Sequence, residues 1–520
     1  MSASLSRSSA GAKSSRLTAV IGESAPRLTI FAIVLLLLLY GYEIFNFSLS
    51  PDEELYGYVY EHNWWLAAIA QGRWGMGLLD RVFPPLGNIP VLATGLFCAS
   101  LGVSACVLAR VLFRNHSAQL AFVGIFVSSP LWPHLAEFNI TSWQIGIGCV
   151  LVTLSLLLML LETRLGDIGA ACILVFAIGI YESFFAWFVV LICIRHLSVL
   201  LGTAPINGTE ARPRFPWLRS GLVCLAGLLG YLAVRHLLLA AFSLKLNYVQ
   251  NFVRLGEFTA TPSAAVARTL QRSWNLLCGA DKVFLDHGYI LMLLPLLGLL
   301  IVVGGLLWRG PLKISERLLA GALLTAAVVA ALSLVVVSAG TVPSRALTSL
   351  IPINAFLAAV ALSKGGRFEK LLYGALAAAL FVSIWVNVSL FYTDHIARER
   401  DQVLAVRIMT RVDNILPNPP PGRIPFIVVG AVPAKTAGPF RRLEVFGDSF
   451  FDSSHEGGNP WRVAAYLRIL GIDTLEPRLL EHIDPSYHPQ IRAMPVWPAA
   501  GSVAMVNGVL VIKLGPLPPA

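Results

Sequence analysis

Long apolar runs dominate the chain between residues 28 and 392. A bilayer core of about 30 Å needs roughly 20 apolar residues in a helix, and eleven runs meet or approach that length. They lie at about 28–49, 88–113, 118–136, 141–162, 168–181, 183–201, 218–241, 289–308, 317–340, 347–363 and 371–392. The first run is longer than a signal-peptide core of about 7–15 residues, so we expect an uncleaved first transmembrane helix. The pattern predicts an all-α polytopic membrane protein of about 11 transmembrane helices.

Positive charge predicts the orientation of these helices, because cytoplasmic loops are enriched in Lys and Arg. If residues 1–27 form a cytoplasmic tail, each alternate loop is basic, whereas the short loops on the other side contain few basic residues. We therefore expect a multi-pass inner-membrane protein with a cytoplasmic N-terminus and an extracytoplasmic C-terminus. The net charge of +10 is largely a signal of topology, and it argues against nucleic acid as a partner.

After about residue 392 the composition changes from apolar to mixed. Residues 398–412 have the pattern of an amphipathic helix, 424–432 that of an apolar strand, and 461–470 that of a helix. Residues 503–514 read as two strands joined at Asn507-Gly508, a favoured hairpin turn. The sequence thus predicts a transmembrane domain at 28–392 and a small extracytoplasmic α/β domain at 393–520.

Composition agrees with a membrane class of protein and offers no sign of a cofactor. Hydrophobic residues make up 56% of the chain and charged residues 13%, against roughly 25% charged residues in soluble domains. The seven cysteines have no metal-site or disulfide spacing. The predicted outer loops contain no Asp-x-Asp motif, which disfavours a metal-dependent enzyme that uses a nucleotide sugar. These patterns predict no metal site and no cofactor, and they leave the metal dependence of the reaction open.

An acidic cluster follows the first helix, where Pro51 prevents an uninterrupted continuation of that helix. Asp52 or Glu53 could act as a general base that takes a proton from an attacking hydroxyl. Arg73 and Arg345 could stabilise the charge of a phosphate leaving group. The alternatives are a solvated acidic cluster and arginines that only anchor the chain at the interface.

Further polar residues lie at the outer ends of predicted spans. Glu137 follows the third span, and Tyr181 and Glu182 separate the fifth from the sixth. Polar groups at membrane depth are costly and tend to face a cavity, so these residues are candidates for lining a sugar or acceptor pocket. For Glu182, Arg235 is a possible ionic partner. Ordinary helix termini and a tight turn at the membrane surface are the alternatives.

The order of these motifs resembles the type II Gtr family of bacterial membrane glucosyltransferases, which modify O-antigen, and more broadly the GT-C class. The acids of 52–53, the segment Gln71-Gly72-Arg73-Trp74, the turn Ile180-Tyr181-Glu182-Ser183 and Tyr392-Thr393-Asp394 carry the resemblance. It implies an inverting transfer of a sugar, commonly glucose, from polyprenyl phosphate to a surface polysaccharide. It places Asp52 and Glu53 as acids and Arg73 and Trp74 at the substrate. Glu182 departs from the Gln-like residue that the family pattern would have at this turn.

The first hypothesis is therefore a glycosyltransferase with a polyprenyl-phosphate sugar donor and a polysaccharide or lipid-linked acceptor, working in membrane lipid. A flippase and an enzyme that charges the carrier lipid with glucose would be its pathway partners. The second hypothesis is a transporter or flippase, which predicts mid-membrane ionisable residues and internal repeats; neither is clear here. A third is another lipid-dependent transferase.

Overall fold

The computed structural model describes residues 25–56, 64–83, 89–205, 217–247, 249–307, 312–418, 421–432, 442–452, 459–482 and 484–516. These residues divide between two compact units. The first unit contains residues 1–44 and 64–388, and the second contains 45–63 and 389–520. The segment 45–63, which follows the first apolar helix, thus belongs with the C-terminal unit.

The described part of the first unit contains helices and the turns that connect them, and it contains no strand. Nine described helices of the chain are long and apolar enough to cross a membrane, and the protein is a membrane protein. The α-helices of this unit, including the two that continue into the other unit, are Ala25–Phe45, Trp64–Ala70, Trp74–Val82, Pro90–Leu112, His116–Ser128, Pro133–Ala136, Asn139–Met159, Arg164–Ile180, Ser183–Leu200, Trp217–Ala241, Glu257–Ala260, Pro262–Cys278, Gly288–Leu307, Ile314–Val337, Leu350–Lys364 and Glu369–Ile415. Short 3-10 helices lie at Val249–Phe252, Lys282–Phe284, Ser344–Ser349 and Gly366–Phe368.

All eleven predicted spans coincide with helices, and the predicted all-α polytopic class is confirmed. Two of the helices are shorter than a full span. His116–Ser128 has 13 residues and Arg164–Ile180 has 17. The predicted run 118–136 is divided because Pro130 and Pro133 interrupt the helical hydrogen bonding, and a separate short helix follows at Pro133–Ala136.

The last apolar helix is longer than its sequence pattern indicated. Predicted elements at 371–392 and 398–412 form one continuous helix of 47 residues, Glu369–Ile415. No Gly or Pro lies between the two predicted elements, so nothing in the local sequence ends the helix there. At 1.5 Å per residue the helix is about 70 Å long, more than twice a hydrocarbon core of about 30 Å.

The second unit contains a four-stranded sheet. Its strands are β1 (Ile424–Val429), β2 (Leu475–Pro477), β3 (Val503–Val506) and β4 (Val509–Lys513), in the order β2-β1-β4-β3. The β1–β2 and β1–β4 pairs are parallel, and β3–β4 is the antiparallel hairpin that Asn507-Gly508 predicted. The helices of this unit besides the long one are Glu53–Tyr56, Pro460–Ile469 and His488–Ala493, with 3-10 turns at Leu480–His482 and Pro485–Tyr487.

Alternation along β1 produces two hydrophobic cores. Side chains of a strand point to opposite faces in turn, so Ile424, Phe426 and Val428 face one core and Ile427 and Val429 face the other. The first core also contains apolar residues of Glu369–Ile415 and Pro460–Ile469, and the second contains Ile491 of the helix His488–Ala493. Helices therefore cover both faces of the sheet.

Candidate functional site

Arg73 lies in a tight turn between two helices of the first unit. The turn follows Trp64–Ala70 and precedes Trp74–Val82, and the Arg73 backbone N–H donates to the Ala68 carbonyl at 2.8 Å. Gly72 has a φ of +90°, a conformation that suits glycine. A Cβ on Gly72 would lie 3.0 Å from Glu182 Oε1 and 3.3 Å from the Tyr231 hydroxyl oxygen. The positive φ and the close approach of the two side chains therefore both require a glycine at this position.

Trp74 fixes this turn against the helix Arg164–Ile180. Its indole packs against Gly179, where a Cβ would lie 2.5 Å from the ring, and makes an edge contact with Phe176 at 5.7 Å between ring centroids. Trp74 is buried, and it is not among the described residues that line the cavity beside Arg73. The structure assigns it a packing contact, and its predicted contact with substrate stays a prediction.

Arg73, Tyr181 and Glu182 form one cluster. The Arg73 guanidinium lies over the Tyr181 ring at 4.9 Å, and its Nε is 3.7 Å from Glu182 Oε2. Glu182 forms an ion pair with Arg73, and Arg235, the partner that the sequence suggested, lies over the Tyr231 ring and also interacts electrostatically with Glu182. Both members of the pair are partly buried, which strengthens their attraction relative to a fully exposed pair.

The turn at 181–183 is also joined to the segment that carries Arg345. The Tyr181 hydroxyl donates to the Arg345 backbone carbonyl at 3.3 Å. The Ser183 and Thr348 hydroxyls are 3.0 Å apart and share a hydrogen bond. These two bonds hold the 3-10 helix Ser344–Ser349 against the start of Ser183–Leu200.

Arg73 and Arg345 line the same cavity of the first unit, which has a volume of about 160 Å³. Two arginines and one glutamate are the charged groups of its described lining, so the lining has a net positive formal charge. Guanidinium groups bind phosphate and carboxylate oxygens with strong, charge-assisted hydrogen bonds, and the remaining wall is mostly apolar. The lining residues are Arg73, Tyr181, Glu182, Ser183, Phe252, Val253, Leu334, Val337, Ser338, Val342, Pro343, Arg345 and Ala346.

Glu137 is buried between the short helix Pro133–Ala136 and the helix Asn139–Met159. Its neighbour Phe138 lies under the Arg345 guanidinium at 5.5 Å. Glu137 itself is not among the described lining of the cavity. Its predicted role at the substrate stays a prediction.

The acidic cluster lies in the second unit, where its three carboxylates have different surroundings. Arg462 donates from Nη2 to Asp52 Oδ1 at 2.7 Å and from Nη1 to Glu54 Oε1 at 2.5 Å. Glu53 accepts a hydrogen bond from the Ser50 backbone N–H at 3.0 Å. The Asp52 side chain is 46% exposed, Glu53 is buried, and Glu54 is 0% exposed.

The surroundings of Glu54 change its acidity. Burial raises the pKa of this carboxyl from 4.5 to about 7, while the Arg462 charge opposes the increase and the Asp52 charge adds to it. Asp52 keeps a solvent-accessible carboxylate next to the same guanidinium. Of the three acids, Asp52 is therefore the one whose surroundings leave it accessible to another molecule.

Sequence reasoning did not find Arg462, Tyr231 or the wall residues Phe252 and Val253. Each lies far along the chain from the residues it contacts, and the local pattern around Arg462 is that of an ordinary helix. In the described part of the chain, no group of three or more His, Cys, Asp or Glu side chains is arranged to hold a metal ion.

Comparison with known proteins identifies the family. No curated protein matches this chain, and no solved structure matches it. The family glucosyl transferase GtrII matches residues 41–362, which is more than half of the chain. The match includes both the acidic cluster and the residues around the cavity, and it confirms the resemblance to type II Gtr proteins. This chain belongs to the glucosyl transferase GtrII family.

Proposed function

We propose that the protein is an inverting GT-C-type glycosyltransferase that transfers glucose from a polyprenyl-phosphate carrier to a surface polysaccharide such as O-antigen. Membership of the family supports glucosyl transfer, and thus a sugar donor and an acceptor in general. The polyprenyl-phosphate carrier, the polysaccharide acceptor and the inverting stereochemistry go beyond family membership and form the proposed part. The basic predicted loops support an inner-membrane location with a cytoplasmic N-terminus and a reaction on the extracytoplasmic face. A flippase and an enzyme that charges the carrier would supply the donor.

The observation that carries this proposal is the cavity that Arg73 and Arg345 share. In the transfer, the acceptor hydroxyl oxygen forms a bond to the anomeric carbon while the bond from that carbon to the phosphate oxygen breaks. The phosphate leaves with the electron pair, and negative charge grows on its oxygens. Fixed guanidinium groups stabilise that charge more in the transition state than in the bound donor. The apolar wall of the cavity suits a lipid-linked donor.

Asp52 is the base of the proposed reaction. The acceptor hydroxyl must lose its proton as it attacks, and a carboxylate can take it. Glu53 binds the Ser50 N–H and Glu54 is fully buried, whereas the Asp52 carboxylate is 46% exposed. These surroundings support Asp52 over the other two acids.

The test is transfer of labelled glucose from synthetic polyprenyl-phosphate glucose to a polysaccharide extract of the source cell by the purified protein. Arg73→Gln and Arg345→Gln should each lower kcat about 10²–10³-fold, the effect of removing one group that stabilises transition-state charge. Asp52→Asn should lower it about 10²–10⁴-fold. The matched control is Arg164→Gln, since Arg164 is exposed and outside the cavity.

Four outcomes would contradict the proposal. Full activity of both Arg73→Gln and Arg345→Gln would show that these arginines do not stabilise the phosphate. Full activity of Asp52→Asn would show that Asp52 is not the base. Loss in Glu182→Gln with activity retained in Asp52→Asn would assign the base to the carboxylate of the cavity. No transfer by the wild type from any lipid-linked sugar, with the native acceptor supplied, would favour a transporter or flippase.

A further inference from the structure

Arg462 connects two parts of the sequence that are far apart. It is 410 residues from Asp52 and 408 from Glu54, yet it binds both carboxylates, one with each terminal nitrogen. Its side chain is 15% exposed. A guanidinium that uses both nitrogens in this way fixes its partners in direction as well as in distance.

The helix that carries Arg462 is firmly placed in the second unit. Asn459 caps its start by accepting from the backbone N–H groups of Trp461 and Arg462, which satisfies donors that a helix otherwise leaves open. Val463 and Leu467 of the same helix are buried in the hydrophobic core beneath the sheet. Arg462 therefore projects from a rigid support, and its position does not depend on a flexible loop.

Asp52, by contrast, lies in a short turn with a backbone φ of +83°. For a residue other than glycine such a conformation costs of order 1–3 kcal/mol and persists only where its surroundings hold it. The contact with Arg462 is one such restraint. Glu54 shares the same cation, and the Arg462 charge opposes the increase in the Glu54 pKa that burial causes.

We propose that Arg462 is a positioning residue that holds the Asp52 carboxylate in the geometry required for proton transfer. The inference rests on the proposed function, in which Asp52 is the base. It makes the part of the chain after residue 388 contribute to the catalytic apparatus, although the family match ends at residue 362 and does not include that part. The family's acidic segment is held by a residue from outside the matched region.

The variants that test this inference are Arg462→Gln and Arg462→Lys, measured in the full-length protein with polyprenyl-phosphate glucose as donor. Arg462→Gln should lower kcat about 10–100-fold, the size of effect expected when a reacting group is misplaced by about 1 Å. Donor KM should stay within about twofold of the wild type, because the donor site is intact. Arg462→Lys keeps the charge but loses the two-pronged geometry, so it should recover part of kcat.

The matched control is Arg468→Gln. Arg468 lies on the same helix and forms an ion pair with Asp473 at 2.9 Å, so its loss should perturb the unit without changing kcat. A purely structural role for Arg462 would lower the amount of folded protein and the Tm, and it would leave kcat per folded molecule unchanged. If Arg462→Gln cannot be recovered folded, Arg462→Lys alone carries the comparison.

The double variant with Asp52→Asn distinguishes the failure of this inference from the failure of the proposed function. If Arg462 acts through Asp52, Arg462→Gln should cause no further loss in the Asp52→Asn background. An equal loss in both backgrounds would overturn the positioning role. The positioning role would also be overturned if both Arg462 variants had the wild-type kcat while Asp52→Asn was inactive. An active Asp52→Asn would instead show that the assigned base is wrong.

Discussion

Glu54 should make the stability of the protein depend on pH, and the effect can be removed by the substitution Glu54→Gln. The Glu54 carboxyl is 0% exposed, and burial raises its pKa in the folded protein from 4.5 to about 7 against the opposing charge of Arg462. The unfolded chain has no such burial, so there the carboxyl ionises near its ordinary pKa. Glutamine keeps the shape of the side chain and cannot ionise.

The sign follows from the binding of protons. Between about pH 4.5 and pH 7 the folded state holds a proton on Glu54 that the unfolded state has released. Stability therefore falls as pH rises through this interval, and the full loss is present above pH 7. One pKa unit corresponds to about 1.4 kcal/mol, so Glu54 should lower the free energy of unfolding by about 3 kcal/mol across the interval.

The assay is the Tm of the detergent-solubilised protein at several pH values from about 5 to 8. For a unit of this size, a loss of about 3 kcal/mol in the free energy of unfolding lowers the Tm by roughly 6–12 °C. The decrease in Tm with rising pH should be smaller by this amount in Glu54→Gln. Asp473→Asn is the control, and it should leave the pH dependence in this range unchanged. A hydrogen bond from Arg423 holds the pKa of the half-exposed Asp473 below its ordinary value of 3.8, so its contribution is lost only at pH values below the range of the assay. Parallel curves for wild type and Glu54→Gln would refute the reasoning.

Two further predictions concern glycines at close contacts. Gly72→Ala should lower the free energy of unfolding by about 1–2 kcal/mol from its positive φ alone, and it should also lower glucose transfer because the methyl group would press on Glu182. Gly202→Ala is the control for the backbone effect, because Gly202 has a positive φ and open space around it. Equal activity of the two variants would contradict the effect of the contact with Glu182. Gly298→Ala should lower the yield of folded protein or its Tm sharply, since its Cβ would overlap the Leu357 backbone carbonyl oxygen of the neighbouring helix. Gly304→Ala, with nothing within 4 Å, should be neutral, and a similar loss in both would point to helix propensity or lipid contact as the cause.

The membrane helices and the small sheet were predictable because each depends on local sequence. A span requires only sufficient length and apolarity, and every predicted run contains a helix in the structure. The β1 strand likewise follows from its apolar, β-branched run, and the β3–β4 hairpin follows from Asn507-Gly508. Where the pattern was misleading, the causes were also local: prolines shortened one run, and the absence of a helix breaker joined two predicted helices into Glu369–Ile415.

The cavity was only partly predictable. The sequence marked Arg73, Tyr181, Glu182 and Arg345 as polar groups where apolar runs end, and the tertiary structure brings all four around one cavity. It could not indicate that Arg73 is the ionic partner of Glu182, because that pairing depends on how distant helices pack.

The acidic cluster separates most clearly what the sequence determined by itself from what only the tertiary structure decided. The sequence determined that three acids follow the first apolar helix, since this needs nothing beyond the order of residues. The contact of Glu53 is local as well, since the N–H that it binds belongs to Ser50, three residues away. The roles of the other two acids depend on neighbours in space, because burial sets the acidity of Glu54 and Arg462 holds an exposed Asp52. Burial and ion pairing arise from residues about 400 positions away, so no local pattern can encode them.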